Sequence, residues 1–394
     1  MRMNLRRKLA WVALWYFAEG FPYGLVKDVF PVYFRLHGVS LTAIGWMSLL
    51  GLPWTWKVLW SPLVDRYCTL KQWIAAALCT MAILLCVLPT LDAAYPSVAL
   101  WVVLLSFCIA SATQDIAIDA LTIGVLEPGE EGAANGVRVA AYRGGLIVAG
   151  GALLFLPRWV GWAPVFPAAA LVCVLLAATM SRAPARRVAD AKRDWLASTW
   201  RWLGRPSAIP VVAFVLTYKL GDASMAPMIK PFWVDRGFQP EEIGLVSTTF
   251  GVVATVVGAL AGGALTSRYG LFRGLWTLGL VQALSNLGYA AAAHSNGDRL
   301  AVYSAGLVES FTGGLGTAAF LAFLMHICEK EHAAVQYAFL SAVFALSRDV
   351  VGGVSGWATT RLGYDNYFLL TFFLALPAYA FLPYVRRWIR DDRE

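Results

Sequence analysis

Thr113-Gln114-Asp115-Ile116-Ala117-Ile118-Asp119-Ala120 sets a glutamine and two aspartates inside an apolar run that begins near Trp101. Asp115 and Asp119 are four residues apart, so on a helix they share one face, with Gln114 beside them. In a bilayer each such charge costs about 2.5–3.5 kcal/mol even on the lenient insertion scale, and function is the usual reason for keeping it. Composition decides whether the helix lies in a membrane. Of 394 residues, 59% are hydrophobic and 14% charged, whereas a soluble chain carries about 25% charged residues. Mean hydropathy is +0.62, and apolar stretches of about 20 residues, the length that crosses hydrocarbon, recur from end to end. The chain reads as an all-α, polytopic membrane protein. The basic stretch Met1–Lys8 precedes an apolar run without a small-residue cleavage site, which reads as an uncleaved first helix.

Breaks at Pro, Gly and charged residues give twelve expected spans, at about 10–35, 41–64, 72–90, 97–126, 133–156, 162–180, 208–234, 242–267, 272–293, 299–327, 333–360 and 366–385. The domain reading is an N-terminal six-helix bundle (1–180), a basic linker (181–207) and a C-terminal six-helix bundle with a short basic tail (208–394). In the linker Arg186, Arg187, Lys192, Arg193, Arg201 and Arg205 alternate with Trp195, Trp200 and Trp202, as in an amphipathic helix lying on a membrane surface. The net charge of +8 fits such loops better than nucleic-acid binding. Arg2, Arg6, Arg7, Lys8, Arg66, Lys71, the linker, Arg268, Arg273, Lys330, Arg386, Arg387, Arg390 and Arg393 fall on the side of the termini. Arg35, Arg158, Arg236, Arg299 and Arg361 fall on the other. The basic side is expected to be cytoplasmic, with both termini there.

The two halves echo one another. Glu19 and Lys27 are matched by Asp222 and Lys230, each 203 positions later, and Arg143 by Arg348, 205 later. Asp65-Arg66-Tyr67 is echoed by Ser267-Arg268-Tyr269. A six-plus-six parallel pseudo-repeat around a basic linker is the pattern of the major facilitator fold. Glu19, Tyr23 and Lys27 lie on one helical face, as do Lys219, Asp222, Ala226 and Lys230. The first and seventh helices are expected to bring two acids and two lysines to a wet cavity suited to a bulky, polar, anionic solute. The expected substrate and proton pathway comprises Glu19, Lys27, Gln114, Asp115, Asp119, Arg143, Lys219, Asp222, Lys230, Glu309 and Arg348. Lys57, Asp65, Arg66 and Asp349 read as gate or structural ion-pair residues. Between the two aspartates, Asp119 is assigned to coupling, and Asp115 with Gln114 to helix or substrate contacts.

Other features carry less. Cys68, Cys79, Cys86, Cys108, Cys173 and Cys328 lack CxxC or metal-ligand spacing and read as reduced thiols. Four histidines without an HExxH pattern give no metal centre, no cofactor and no enzyme. Gly144, Gly145, Gly150 and Gly151 are expected to permit close helix packing. The Gly313-Gly314-Leu315-Gly316 cluster lacks the strand-to-helix context of a phosphate loop, and His326 and His332 stand at an expected helix end.

Ala112 through Ala120 resembles the fourth-helix signature of the AmpG-type muropeptide permeases, a branch of the major facilitator superfamily that also holds acetyl-CoA transporters and some siderophore importers. The likeness continues in Gly51-Leu52-Pro53-Trp54-Thr55-Trp56-Lys57, in Ser61-Pro62-Leu63-Val64-Asp65-Arg66 and in Ala141-Tyr142-Arg143-Gly144-Gly145. It recurs in Tyr218-Lys219-Leu220-Gly221-Asp222, in Pro231-Phe232 with Glu242-Ile243-Gly244, and from Glu309 through Gly313 to Met325, and so covers most of the chain. The resemblance implies proton-driven uptake of anhydromuropeptides across a bacterial inner membrane by a monomer whose partners are solute, protons and lipid. It would place Gln114, Asp115, Asp119, Arg143, Lys219, Asp222 and Glu309 in the transport path. One departure is Val26-Lys27-Asp28-Val29-Phe30-Pro31, where the better-known permeases are more apolar. The alternative it leaves open is the same scaffold importing a siderophore, a CoA thioester or another anionic metabolite.

Overall fold

The computed structural model describes residues 3–94, 96–127, 130–184, 202–295, 298–328 and 333–390, and every regular element among them is helical. The described helices form twelve successive rods. They are α1 (5–36), α2 (41–66), α3 (Leu70–Thr90), α4 (Val98–Val125), α5 (131–160), α6 (Val165–Arg182), α7 (Ala208–Asp235), α8 (Pro240–Tyr269), α9 (Leu271–His294), α10 (Arg299–His326), α11 (333–362) and α12 (364–390). Eight stretches are long and apolar enough to cross a membrane by themselves, α11 and α12 counting as one. The rods outside that set are α1, α2 and α9. Polar side chains interrupt α1 and α9, and α2 is a succession of short turns. Length and apolarity alone therefore mark eight stretches holding nine of the twelve described rods.

Local chemistry sets the ends. Ser97 caps α4 by accepting from the Leu100 N–H at 3.3 Å. Thr69 and Gln72 cap α3 reciprocally. Gly363, at φ 76°, separates α11 from α12 in a conformation that only glycine adopts freely. Three rods contain a wide π turn, at Leu25–Val29 in α1, Ile147–Ala152 in α5 and Ile243–Phe250 in α8. Such turns interrupt the backbone ladder and concentrate at functional sites.

Contacts divide the chain into two compact units. Unit 1 holds Met1–Val39, Leu50–Asp190 and Phe238–Thr249; unit 2 holds Ser40–Leu49, Ala191–Gly237 and Phe250–Glu394. The start of α2 thus packs within unit 2 and the start of α8 within unit 1. In unit 1, α1 and α5 approach closely at Gly145, where an added Cβ would lie 2.7 Å from the Phe17 carbonyl oxygen and the Phe21 nitrogen. Gly150 and Gly151 are equally confined, but Gly144 has its nearest neighbour at 3.9 Å, so of the four glycines it alone is not needed for packing. In unit 2 a core of Phe214, Phe320, Phe323 and Trp388 also takes in Trp202 from the end of the expected linker, whose indole N–H donates to the Ile327 carbonyl at 3.1 Å. The expected surface helix of that linker falls at 185–201, outside the described residues. All six cysteines are free.

Candidate functional site

Each unit holds a cluster of charged side chains. In unit 1, α4 supplies Asp115 and Asp119 one turn apart, α1 supplies Glu19, and α2 supplies Lys57. The Lys57 ammonium is bonded to the Asp115 carboxylate and lies 3.7 Å from Asp119. Arg138 of α5 approaches Asp119 at 3.4 Å and stacks over Tyr16 at 4.6 Å. The Tyr16 hydroxyl donates to Asp119 at 2.6 Å. Oxygens of Glu19, Asp115 and Asp119 lie within 4.8 Å of one another. Like charges this close require cations or a proton, and Lys57 stands where a metal ion would otherwise bind. The donor set therefore suits an ammonium and a mobile proton better than a resident divalent ion.

Asp115 is 7% exposed, and the Gln114 amide donates to the Ala18 carbonyl at 3.0 Å. Gln114 thereby ties α4 to the backbone of α1, beside Glu19. Asp119 is the more open carboxylate, with a third of its side chain exposed. Glu19 Oε2 and Gln114 Oε1 are buried without a hydrogen-bond partner among the described residues, the kind of orphan that calls for a functional explanation.

Lys27 lies in the π turn of α1, 5.6 Å from the Tyr23 ring. It makes no ion pair among the described residues, and neither does Arg143 of α5. Tyr23 connects the two places, since its ring sits 6.1 Å from Tyr142, the neighbour of Arg143, and 5.5 Å edge-on to Trp54. Asp28, the other charge in that turn, rests against Gly150 and accepts from the Thr248 hydroxyl at 3.2 Å. The π turns of α1, α5 and α8 converge on this one carboxylate.

In unit 2, Lys219 at the bend of α7 donates to Asp222 at 3.2 Å, to Gln282 of α9 at 2.5 Å and to the Gly313 carbonyl of α10 at 3.3 Å. Glu309 of α10 accepts from Ser310 at 3.5 Å. Lys230 is buried two turns further along α7. Asp222 is thus held by Lys219, three residues before it, and in unit 1 the eight-residue partner of Glu19 is engaged elsewhere, over Tyr23. Arg348 and Asp349 bond to one another on α11 at 3.3 Å, with Asp349 fully enclosed. Arg66 stacks on Tyr67, and the Asp65 side chain lies outside the described residues.

Sequence reasoning missed four members of these clusters. Tyr16 sits in an aromatic-rich run where its hydroxyl gives no signal, and no spacing ties Arg138, a charge within the expected fifth span, to Asp119. Gln282 and Asn286 left a legible trace, two amides four residues apart inside an apolar span. Asn286 donates to Thr371 of α12 at 3.2 Å, while its Oδ1 and the Gln282 Nε2 are buried orphans among the described residues.

Comparison with known proteins gives concordant results. A family profile for the Major Facilitator Superfamily matches residues 211–394. The anhydromuropeptide permease of Escherichia coli (strain K12) is 34% identical over 392 residues, 96% of this chain and 79% of the permease. A Rickettsia conorii protein carrying the transporter name AmpG 4 is 28% identical over 93% of this chain and 94% of its own length. Among solved structures, an inward-facing, unoccupied bacterial homologue of the human lysosomal transporter Spinster matches with TM-score 0.77 at 14% identity, covering 98% of both chains. The nucleoside transporter NupG matches with TM-score 0.74 at 14% identity, over 98% of this chain and 100% of its own.

Proposed function

The chain belongs to the AmpG-type branch of the major facilitator superfamily, a family of multi-pass membrane transporters and not of enzymes, and on that premise we propose that it imports anhydromuropeptide-like solutes in symport with protons. The observation that carries the solute assignment, beside the 34% identity to a permease of that name, is the pair of unmatched cations in unit 1. Lys27 and Arg143 are held in α1 and α5 without a carboxylate partner among the described residues. Both are half-buried, and an unpaired cation in that setting offers an anionic solute a site. Peptide carboxylates supply that charge, and the aromatic faces of Tyr23, Trp54 and Tyr142 suit a sugar ring.

The acidic cluster supports the coupling assignment. With Glu19, Asp115 and Asp119 ionised against Lys57 and Arg138, the site carries one excess negative charge. Uptake of one proton neutralises it, and a neutral cluster crosses between access states at much lower desolvation cost. Asp119 is the proposed acceptor, because it is the more exposed carboxylate and Tyr16 can turn its hydroxyl to follow the charge. Alternating access would carry solute and proton across the inner membrane together, with the basic loops and both termini in the cytoplasm. In unit 2, Lys219, Asp222, Glu309 and the amides of Gln282 and Asn286 are proposed to take part in transport, and the sequence bundles 1–180 and 208–394 to be the two halves of the transporter.

The test is uptake of labelled anhydromuropeptide into proteoliposomes with an inward proton gradient and without one. Gradient-dependent accumulation is the expected result. No accumulation by folded, inserted protein overturns the solute assignment, and accumulation indifferent to the gradient overturns the coupling.

A further inference from the structure

We propose that the end of α12 and the beginning of α9 form a binding site for an anionic phospholipid headgroup. The site is a cavity of about 410 Å³ lined by Phe272, Tyr379, Leu382, Pro383, Arg386 and Arg387, all within unit 2. Its lining combines two guanidinium groups with aromatic and aliphatic side chains. A phosphodiester with acyl chains attached matches that combination.

The last turns of α12 hold the arginines by burying their neighbours. Val385 and Trp388 point into the core of unit 2, and the Trp388 indole donates to the Pro206 carbonyl at 3.0 Å while Arg205 covers its ring at 4.4 Å. Arg386 and Arg387 are thereby turned outward and stay exposed. Neither makes an ion pair among the described residues. Arg386 lies over the Phe272 ring at 5.6 Å and Arg387 over Tyr384 at 5.9 Å. Each guanidinium lies within cation–π range of a ring and has no hydrogen-bond acceptor among the described residues, which leaves its donors available to a phosphate. Helix ends dressed with tyrosine stand at headgroup level, and basic pockets between helices on the cytoplasmic side recruit anionic lipids. The positive-inside rule accounts for arginines in this region. It does not account for two of them set beside aromatic rings, without carboxylate partners among the described residues, around a partly apolar cavity. Placement in the inner leaflet rests on the orientation proposed above, whereas the chemistry of the site does not.

The full chain, purified in an uncharged detergent, is titrated with phosphatidylglycerol, with phosphatidylcholine and with inorganic phosphate, reading lipid adducts by native mass spectrometry and the unfolding temperature in parallel. Phosphatidylglycerol is expected to bind and to raise the unfolding temperature, and the other two are not. Arg386→Gln with Arg387→Gln should weaken phosphatidylglycerol binding about thirtyfold, two surface arginines' worth of attraction to anionic lipid. The double lysine variant, which keeps both charges and loses the planar fork, should fall between. Arg268→Gln, on α8, should bind as the parent does. Undiminished binding in the double glutamine variant overturns the proposal, and so does an equal effect of inorganic phosphate, which would make this a site for a soluble anion. If the glutamine variant does not fold, the lysine variant decides, because binding equal to that of the parent would reduce the site to general charge. Uptake assays play no part in the readout, so the outcome is independent of the transported solute.

Discussion

Lys57 meets Asp115 and Asp119 at once, so the charge balance of unit 1 depends on it more than on any other side chain. Lys57→Ala leaves Asp115 buried and unpaired, and should lower stability by about 3 kcal/mol in thermal unfolding of the solubilised protein. Adding Asp115→Asn should recover most of that loss, because the uncompensated charge goes with it; equal loss in both variants would mean that Lys57 acts through packing. Asp119→Asn removes the proposed proton acceptor and keeps the shape. It should leave solute binding within about twofold while accumulation against a gradient falls by at least about tenfold, measured side by side in proteoliposomes. The four-residue spacing made both aspartates legible. The partners that distinguish them come from other helices, and no spacing rule reaches across the chain to Tyr16, Lys57 or Arg138.

At the scale of elements, close approach of α1 and α5 turns on Gly145. Gly145→Ala should cost about 1–3 kcal/mol by overpacking. Gly144→Ala, one residue away, should be neutral or slightly stabilising, since its space is open and alanine favours helix by up to about 1 kcal/mol; unfolding midpoints of the two variants make the comparison. A second contact fastens the α1 N-terminus to the connection between α4 and α5, outside the expected spans. The Lys8 ammonium donates to Glu130 at 2.8 Å and lies 3.2 Å from Glu127. The Lys8 bond holds the Glu130 carboxyl below its ordinary value of 4.5 and holds Lys8 above 10.5. Glu130, depressed on folding, favours the folded state above about pH 4.5 and loses that effect as pH falls through its folded value. Lys8, raised on folding, favours the folded state below 10.5 and loses that effect as pH rises beyond. The exchange protection of the Glu127 and Glu130 amides, corrected for the intrinsic rate at each pH, should therefore be greatest between those limits and fall below the lower one. Glu130→Gln should abolish that acid-side change, and an unchanged profile in the variant would remove Glu130 from the account. Helix positions were largely legible in the apolar runs, as with the fourth span expected at 97–126 and found at Val98–Val125. The π turns were not, because nothing in Leu25–Val29 distinguishes a wide turn from a regular one until α5 and α8 pack against it.

For the whole molecule, orientation is the property most directly open to test. A reporter that fluoresces only in the cytoplasm should light up when fused after Arg390 and stay dark when inserted at 161–164, between α5 and α6; the reverse pattern would invert the membrane orientation. The all-helical membrane class, the recurrence of apolar spans, the half-to-half echo and the family resemblance were fixed by composition and order along the chain. Apolarity and periodicity are one-dimensional quantities, and crossing a bilayer imposes them on each span separately. Packing alone decided the rest. It assigned Ser40–Leu49 to unit 2 and Phe238–Thr249 to unit 1, paired Lys57 with Asp115 and Lys219 with Asp222 and Gln282, and left Lys27 and Arg143 without ion pairs among the described residues. Which charge meets which depends on how helices distant in sequence are rotated about their axes. For the aspartates of Thr113–Ala120 that rotation places Asp115 against Lys57 in the interior and leaves Asp119 open, with Tyr16 beside it.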